Sequence, residues 1–298
     1  MTLKVLPVDR LRGRFHLRNK FHSCLLAEFL GTFMLLFLVT GIGAQFVLTS
    51  GKLNAYINLN IGVGFAIALC VYATYNISGA HLNPAVSIAV VSQGLLSIPH
   101  FFAYCLVQTL GAFLGVALSY AVYSDQIFNF TGGVKAVNGT KATAGLFCSF
   151  PEPHVSNLSC FIDQVVGTFI LLFFIAAVID KRNRVPSFLH PLFFGFILVV
   201  IGNSYGMNVG YPINPARDFG PRLFAYFIGY GKEVFTYHNN FFWIPIVAPL
   251  IGGPLGTWTY QTLLGIHLTD PEIDGTELPT KVVLKNGGIE ELKPLSEE

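Results

Sequence analysis

Apolar residues gather in six long blocks separated by polar links: Leu25–Leu48, Ile57–Tyr75, Phe101–Tyr123, Phe161–Ile179, Phe188–Ser204 and Phe241–Ile266. Crossing the hydrocarbon core of a bilayer takes about 20 residues of helix. A soluble core hides one or two such stretches but not six, so the pattern predicts an all-α, polytopic membrane protein. Two interruptions stand out: Asn83-Pro84-Ala85 in SGAHLNPAVS and Asn214-Pro215-Ala216 in GYPINPARDFGPR. Asn is a preferred helix N-cap, and Pro suits the first helical position, where its missing N–H costs nothing. Each tripeptide therefore predicts a short helix starting at membrane depth; the plain alternative is a pair of turns.

Composition agrees with this pattern. Hydrophobic residues make up 53% of the 298-residue chain and charged residues 11%, against about 25% charged in ordinary soluble domains. A net charge of +2 leaves no nucleic-acid footprint. The basic leader runs directly into a full-length span, so no cleavable signal peptide is expected.

The cations set an expected orientation. Lys4, Arg10, Arg12, Arg14, Arg18 and Lys20 precede the first span, and Lys181, Arg182 and Arg184 follow the fourth. The positive-inside rule places both groups, and with six spans both termini, in the cytoplasm. The segment between spans three and four then lies outside. It holds three glycosylation sequons, at Asn129, Asn138 and Asn157. A fourth, Asn76-Ile77-Ser78, falls beside the first half-helix, where it is inaccessible. The tail after Thr269 is polar and mixed in charge, and reads as disordered.

The chain also repeats itself. Residues Ala27–Phe37 (AEFLGTFMLLF) align with Asp163–Phe173 (DQVVGTFILLF), and an Asn-Pro-Ala follows at a similar offset in each half. Three spans per half is odd, so the halves insert with opposite orientation, as an inverted repeat whose special residues meet near the midplane. Backbone leaves regular helix there only where protein or a water-filled cavity surrounds it.

The paired Asn-Pro-Ala motifs, the AEFLGT opening and the inverted repeat resemble the aquaporin superfamily over residues 22–268. SGAHLNPAVS, DQVVGT, GYPINPARDFGPRLF and WIPIVAPLIGGPLG resemble its glycerol-conducting branch, the aquaglyceroporins, as do Asp218, Arg222 and the pair Pro249-Leu250. The resemblance implies six spanning helices with two re-entrant half-helices and a passive channel for water, glycerol and small neutral solutes such as urea. It also implies no cofactor, a homotetramer and residence in the plasma membrane. The chain divides into a cytoplasmic arm (1–21), a channel domain (22–268, with repeats of about 22–123 and 159–268), an extracellular loop (124–158) and the cytoplasmic tail (269–298).

The residues themselves support a pore. Asn83 and Asn214 carry amide donors fixed by capping, at half-helix ends that bring positive partial charge to one point. Arg217 is penalised twice, as a cation near a helix N-terminus and as a charge at membrane depth. Its repeat counterpart is Val86. It reads as a donor fork facing the pore, the alternative being an ion pair with Asp218 or Glu28. Asp218 sits four residues from Arg222 and reads as structural. Glu28, whose counterpart is Gln164, reads as a buried anchor for the first re-entrant loop rather than a proton carrier. His81 is expected to pack at the cytoplasmic mouth, with a pH gate as the alternative. Gly111/Gly115, Gly202/Gly206/Gly210 and Gly252/Gly256 have the spacing that lets helices approach closely. Cys148 and Cys160 both lie on the outer side but are expected to remain unpaired.

By resemblance, Val63, Gly202, Tyr211 and Arg217 form the narrowest ring. Carbonyls of Gly79, Ala80, His81, Gly210, Tyr211 and Pro212 line the pore. Gly202 predicts a wider, less polar ring, and Val63 stands where glycerol channels carry an aromatic residue. A secondary transporter also uses inverted repeats and broken helices, but would need coupling groups, of which only Glu28 offers one. An enzyme would need clustered His, Cys or carboxylates.

Overall fold

The computed structural model describes residues 6–269, together with 283–285 and 288–290. Within 6–269 every regular element is helical. An arm helix α1 (Pro7–Phe15) precedes the spans α2 (Lys20–Leu48) and α3 (Tyr56–Ser78). The half-helix α4 (Pro84–Ser92) and the span α5 (Ile98–Thr131) complete the first repeat. The second repeat runs α6 (Asn157–Ile179), α7 (His190–Val209) and the half-helix α8 (Pro215–Ala225). It continues through the short α9 (Glu233–Asn240) to the last span, α10 (Ile244–Leu263).

Helix α2 packs on α5 and, in the same relation, α6 packs on α10. Gly111 and Gly115 of α5 lie against the carbonyls of Phe29 and Phe33, while Gly252 and Gly256 of α10 lie against those of Val165 and Phe169. A methyl group at any of the four would strike backbone, which cannot yield. The two halves cross where Gly64 of α3 meets Gly195 of α7, each leaving room for the other's carbonyl.

Two segments differ from the sequence reading. Helix α5 runs to Thr131, eight residues beyond the apolar block, before Gly132 ends it in a left-handed conformation (φ 66°). Hydropathy measures the bilayer and not the helix: Ile127 and Thr131, spaced i,i+4, stay buried on one face of the extension. In the tail, Val283–Lys285 pairs antiparallel with Gly288–Glu290. The rest of the segment expected to be disordered lies outside the described residues.

Candidate functional site: a membrane pore at the junction of the half-helices

Asn83 and Asn214 both stand in extended backbone just before a half-helix and cap it. Asn83 Oδ1 accepts from the Ala85 N–H at 2.8 Å, and Asn214 Oδ1 from those of Ala216 at 3.1 Å and Arg217 at 3.2 Å. Their amide nitrogens then cross the junction. Asn83 Nδ2 donates to the Ile213 carbonyl (3.0 Å), and Asn214 Nδ2 to the Leu82 carbonyl (2.9 Å). Each amide carries two N–H groups, so one is spent joining the halves and one remains for a passing oxygen. Pro84 and Pro215 hold the first helical positions and Ala85 and Ala216 are fully buried.

The loops leading into the caps adopt an unusual backbone. Gly79, Ala80 and Leu82 have φ of 86°, 51° and 50°; Gly210, Tyr211 and Ile213 repeat this with 78°, 45° and 35°. Left-handed non-glycine residues cost about 1–3 kcal/mol each and persist only where the surroundings hold them. Glu28 is the holder in the first repeat. Its Oε1 accepts from Ser78 Oγ (2.6 Å) and the His81 N–H (2.9 Å), its Oε2 from the Leu82 N–H (2.7 Å) and Gln108 Nε2 (2.8 Å). In the second repeat Gln164 Oε1 accepts from the Ile213 N–H (2.9 Å), while its amide donates to Asp163 Oδ1 (2.9 Å). With the N–H groups turned to these anchors, the carbonyls of Gly79, Ala80, His81, Gly210, Tyr211 and Pro212 accept no bond among the described residues. All six residues line the central cavity.

That cavity has a volume of about 680 Å³ and runs from Tyr56, Phe150 and Glu152 at one end to Gln93, Ile175 and Ile179 at the other. Asn83 and Asn214 face it midway, and Val63, Tyr211 and Arg217 face it on one side of them. Arg217 Nη1 reaches the Phe147 carbonyl at 3.4 Å, and among the described residues no carboxylate lies within ion-pair distance of it. The expected alternative partners are committed elsewhere: Glu28 to its loop, Asp218 to Arg222. His81 also faces the cavity, its Nδ1 3.1 Å from Ser87 Oγ.

Gly202 does not face the cavity. A Cβ there would come within 2.7 Å of both Tyr211 Cζ and Asn60 Oδ1. The absent side chain makes room for the Tyr211 ring, so Gly202 stands behind that ring. Nor do Gly202 and Gly206 serve close helix packing, since Gly206 makes room for Tyr56 and Tyr211. The Tyr211 hydroxyl donates to Asn60 Oδ1 at 2.6 Å, and Asn60, fully buried on α3, donates on to Asn203 Oδ1 at 2.9 Å.

A model of the major intrinsic protein family matches residues 17–260. The chain belongs to this family. It is 41% identical to human aquaporin-10 over 268 residues, covering 90% of this chain and 89% of that one. To mouse aquaporin-9 it is 42% identical over 269 residues, 89% and 91% of the two chains. The structure superposes on the aquaglyceroporin of Plasmodium falciparum with a TM-score of 0.75 and 32% identity, over 83% of this chain and 98% of that one. Within the major intrinsic proteins it falls in the aquaglyceroporin branch.

In this aquaglyceroporin the second half-helix is clamped from outside the pore. Arg222 and Asp218, both fully buried, pair at 2.7 Å. Arg222 further donates to the carbonyls of Ser149 (2.7 Å) and Val234 (2.5 Å), and Asp218 Oδ2 accepts from the Ser149 N–H (2.8 Å). The pair thus fixes the segment whose Phe147 carbonyl meets Arg217.

Several contributors escaped the sequence reading. Gln108, Ser78 and Ser87 complete the Glu28 network, and Asn60 secures Tyr211. Asp163 is a further buried carboxylate besides Glu28 and Asp218, bonded to Gln164 and, through Oδ2, to Asn208 (2.9 Å). For Asn60, Gln108 and Asp163, polar residues inside apolar blocks, that position was the available signal. Cys148 and Cys160 are free, buried thiols. The sequon at Asn76 lies in α3, not beside a half-helix.

Proposed function

We propose that this aquaglyceroporin conducts water, glycerol and other small uncharged solutes such as urea passively, while excluding protons and ions. The observation that carries the reading is the reciprocal Asn83–Asn214 junction set midway in the cavity. Each Asn offers one remaining N–H, and the two half-helix N-termini add positive partial charge there. A hydroxyl or water oxygen accepts from these donors while its own protons turn outward to the loop carbonyls. Arg217 supplies a second fixed donor and repels cations. Val63 and the Tyr211 ring give the carbon skeleton of a polyol an apolar wall, with Gly202 behind it; apolar walls with few convergent polar groups suit such a solute.

A secondary transporter would need titratable or ion-coupling groups that change partners. Glu28 and Asp163 are both enclosed by fixed donors, which favours the channel. We further infer from the charge rule that both termini are cytoplasmic and that 124–158 faces outward with sequons at Asn129, Asn138 and Asn157. The family resemblance adds a homotetramer and residence in the plasma membrane. Swelling of proteoliposomes in water, glycerol and urea gradients tests the central reading. A channel gives flux without saturation or counterflow and with low activation energy; saturable, proton-dependent flux would overturn it.

A further inference from the structure

The two repeats hold their strained loops in different ways, and the difference isolates Asp163. In the first repeat Glu28 alone grips both ends of the loop. It accepts from Ser78 Oγ (2.6 Å) where α3 ends, and from the His81 (2.9 Å) and Leu82 (2.7 Å) N–H groups just before the Asn83 cap. Counting back from the two caps, the second repeat has Val209 in place of Ser78, Pro212 in place of His81 and Ile213 in place of Leu82. Val209 has no side-chain donor and Pro212 has no N–H. One acceptor then serves the cap end of the loop, and Gln164 Oε1 supplies it to the Ile213 N–H (2.9 Å). At Val209 the helix end has lost its grip.

Asp163 takes over that end through the residue before it. Asn208 lies in the last turn of α7 and lines the cavity. Its Nδ2 donates to Asp163 Oδ2 at 2.9 Å, and its carbonyl accepts from the Glu152 N–H at 3.2 Å. Asp163 Oδ1 accepts from Gln164 Nε2 at 2.9 Å, which aims Gln164 Oε1 at Ile213. One buried carboxylate therefore governs both ends of the segment 208–213. That segment holds Gly210, Tyr211 and Ile213 at positive φ, a backbone that persists only where its surroundings fix it. Through Glu152, Asn208 also steadies the stretch whose Phe147 carbonyl meets Arg217 at 3.4 Å. The first repeat has Ala27 at this position, so the repeat does not require a carboxylate there, and burying one is costly.

We propose that Asp163 is a positioning residue for solute selection: its two acceptor oxygens set where the Tyr211 backbone stands relative to Arg217, and with it the largest solute admitted. Asn60 holds the tip of the Tyr211 ring, and Asp163 holds the backbone that carries the ring. What the position needs is two bonds. An amide at 163 has one acceptor oxygen and one NH₂. Gln164 must keep its orientation to reach Ile213, whereas Asn208 can turn its amide over and offer Oδ1. Asp163→Asn therefore keeps both links, and Asp163→Ala loses both. This inference rests on the channel reading and adds the residue that fixes the bore.

The test uses the full chain in proteoliposomes and measures permeability to glycerol, erythritol and sorbitol, with water flux confirming the fold. Asn208→Ala cuts the helix-end link alone and, at the cavity wall, is the variant least exposed to misfolding. It should raise the sorbitol-to-glycerol ratio about fivefold, the scale set by the net worth of one hydrogen bond. Asp163→Ala should raise the ratio at least as far, and adding Asn208→Ala to it should change nothing more, because the two share a bond. Asp163→Asn should stay close to the wild type. Ratios that stay at the wild-type value in Asn208→Ala overturn the proposal. So does a fall of all fluxes in parallel with thermal stability, which is what a purely structural residue gives, and so do additive shifts in the double variant. A ratio in Asp163→Asn that moves with Asp163→Ala overturns the hydrogen-bond basis. A wild type that passes no glycerol overturns the channel reading and this inference with it; a conducting wild type whose ratios the variants leave alone overturns this inference only.

Discussion

In the proposed pore, single residues divide the work. We propose that Arg217 acts by charge. At about 5 Å and an effective dielectric near 20, a unit charge repels a cation by about 3 kcal/mol. Arg217→Val, which copies Val86 of the first repeat, should therefore raise cation or proton leak by up to about a hundredfold under voltage clamp while glycerol flux persists. A silent membrane would assign exclusion to the Asn caps. Tyr211 acts by position, through its hydroxyl on Asn60. Tyr211→Phe leaves Asn60 Oδ1 without that donor, at a cost of about 1–3 kcal/mol, and should admit solutes bulkier than glycerol. Since the bond is shared, Asn60→Val should cost less in the Tyr211→Phe background than alone; additive costs would argue against the tether. Glu28 acts by accepting. All four of its partners are donors, so Glu28→Gln presents an NH₂ where an oxygen is needed. Folding yield and thermal stability should fall by about 1–3 kcal/mol, read by denaturation in detergent. Gln164 tolerates the same amide because Asp163 accepts from it, and the position corresponding to Asp163 in the first repeat is Ala27.

At the level of elements, the half-helices were legible in the sequence because their signal is local: an Asn cap, a Pro at the first helical position and apolar flanks. The Glu28 anchor was legible from its cost, a carboxylate inside an apolar block. The loops before the caps were not, since Ala80, Leu82, Tyr211 and Ile213 are non-glycine residues at positive φ, and Leu82 and Ile213 are held there by side chains from distant helices. Nor was the exchange at Gly202, where a missing side chain is filled by a neighbour. Helix α1 left a readable trace, Pro7 followed by Val8, Leu11 and Phe15 at helical spacing, which the run of arginines obscured. The segment 124–158 sorts its own sequons. Asn129 lies within α5, and Asn157 Nδ2 already donates to the carbonyls of His238 (3.2 Å) and Asn239 (3.3 Å). Asn138 is exposed, with an exposed Thr140. Asn138→Gln alone should therefore abolish the glycosidase-sensitive band; a band that survives would move the modification to another acceptor or the loop to the other side.

At the level of the whole molecule, two topologically inverted halves arrive at nearly the same solution with different residues. Helix, glycine contact, loop strain and cap recur in both, whereas Glu28 is answered by Gln164 with Asp163, and Arg217 by Val86. The shared features build the passage, and on the proposed reading the departures from symmetry mark where it discriminates. The junction itself belongs to neither half. Asn83 finds its acceptor 130 residues further along the chain, at Ile213. At about 5–20 residues per second of synthesis, the first half-helix waits roughly 7–26 s with a buried donor unanswered before its counterpart exists. During that interval the nascent chain is a membrane protein without a pore, and the membrane is spared a leak until the second half of the chain has been made.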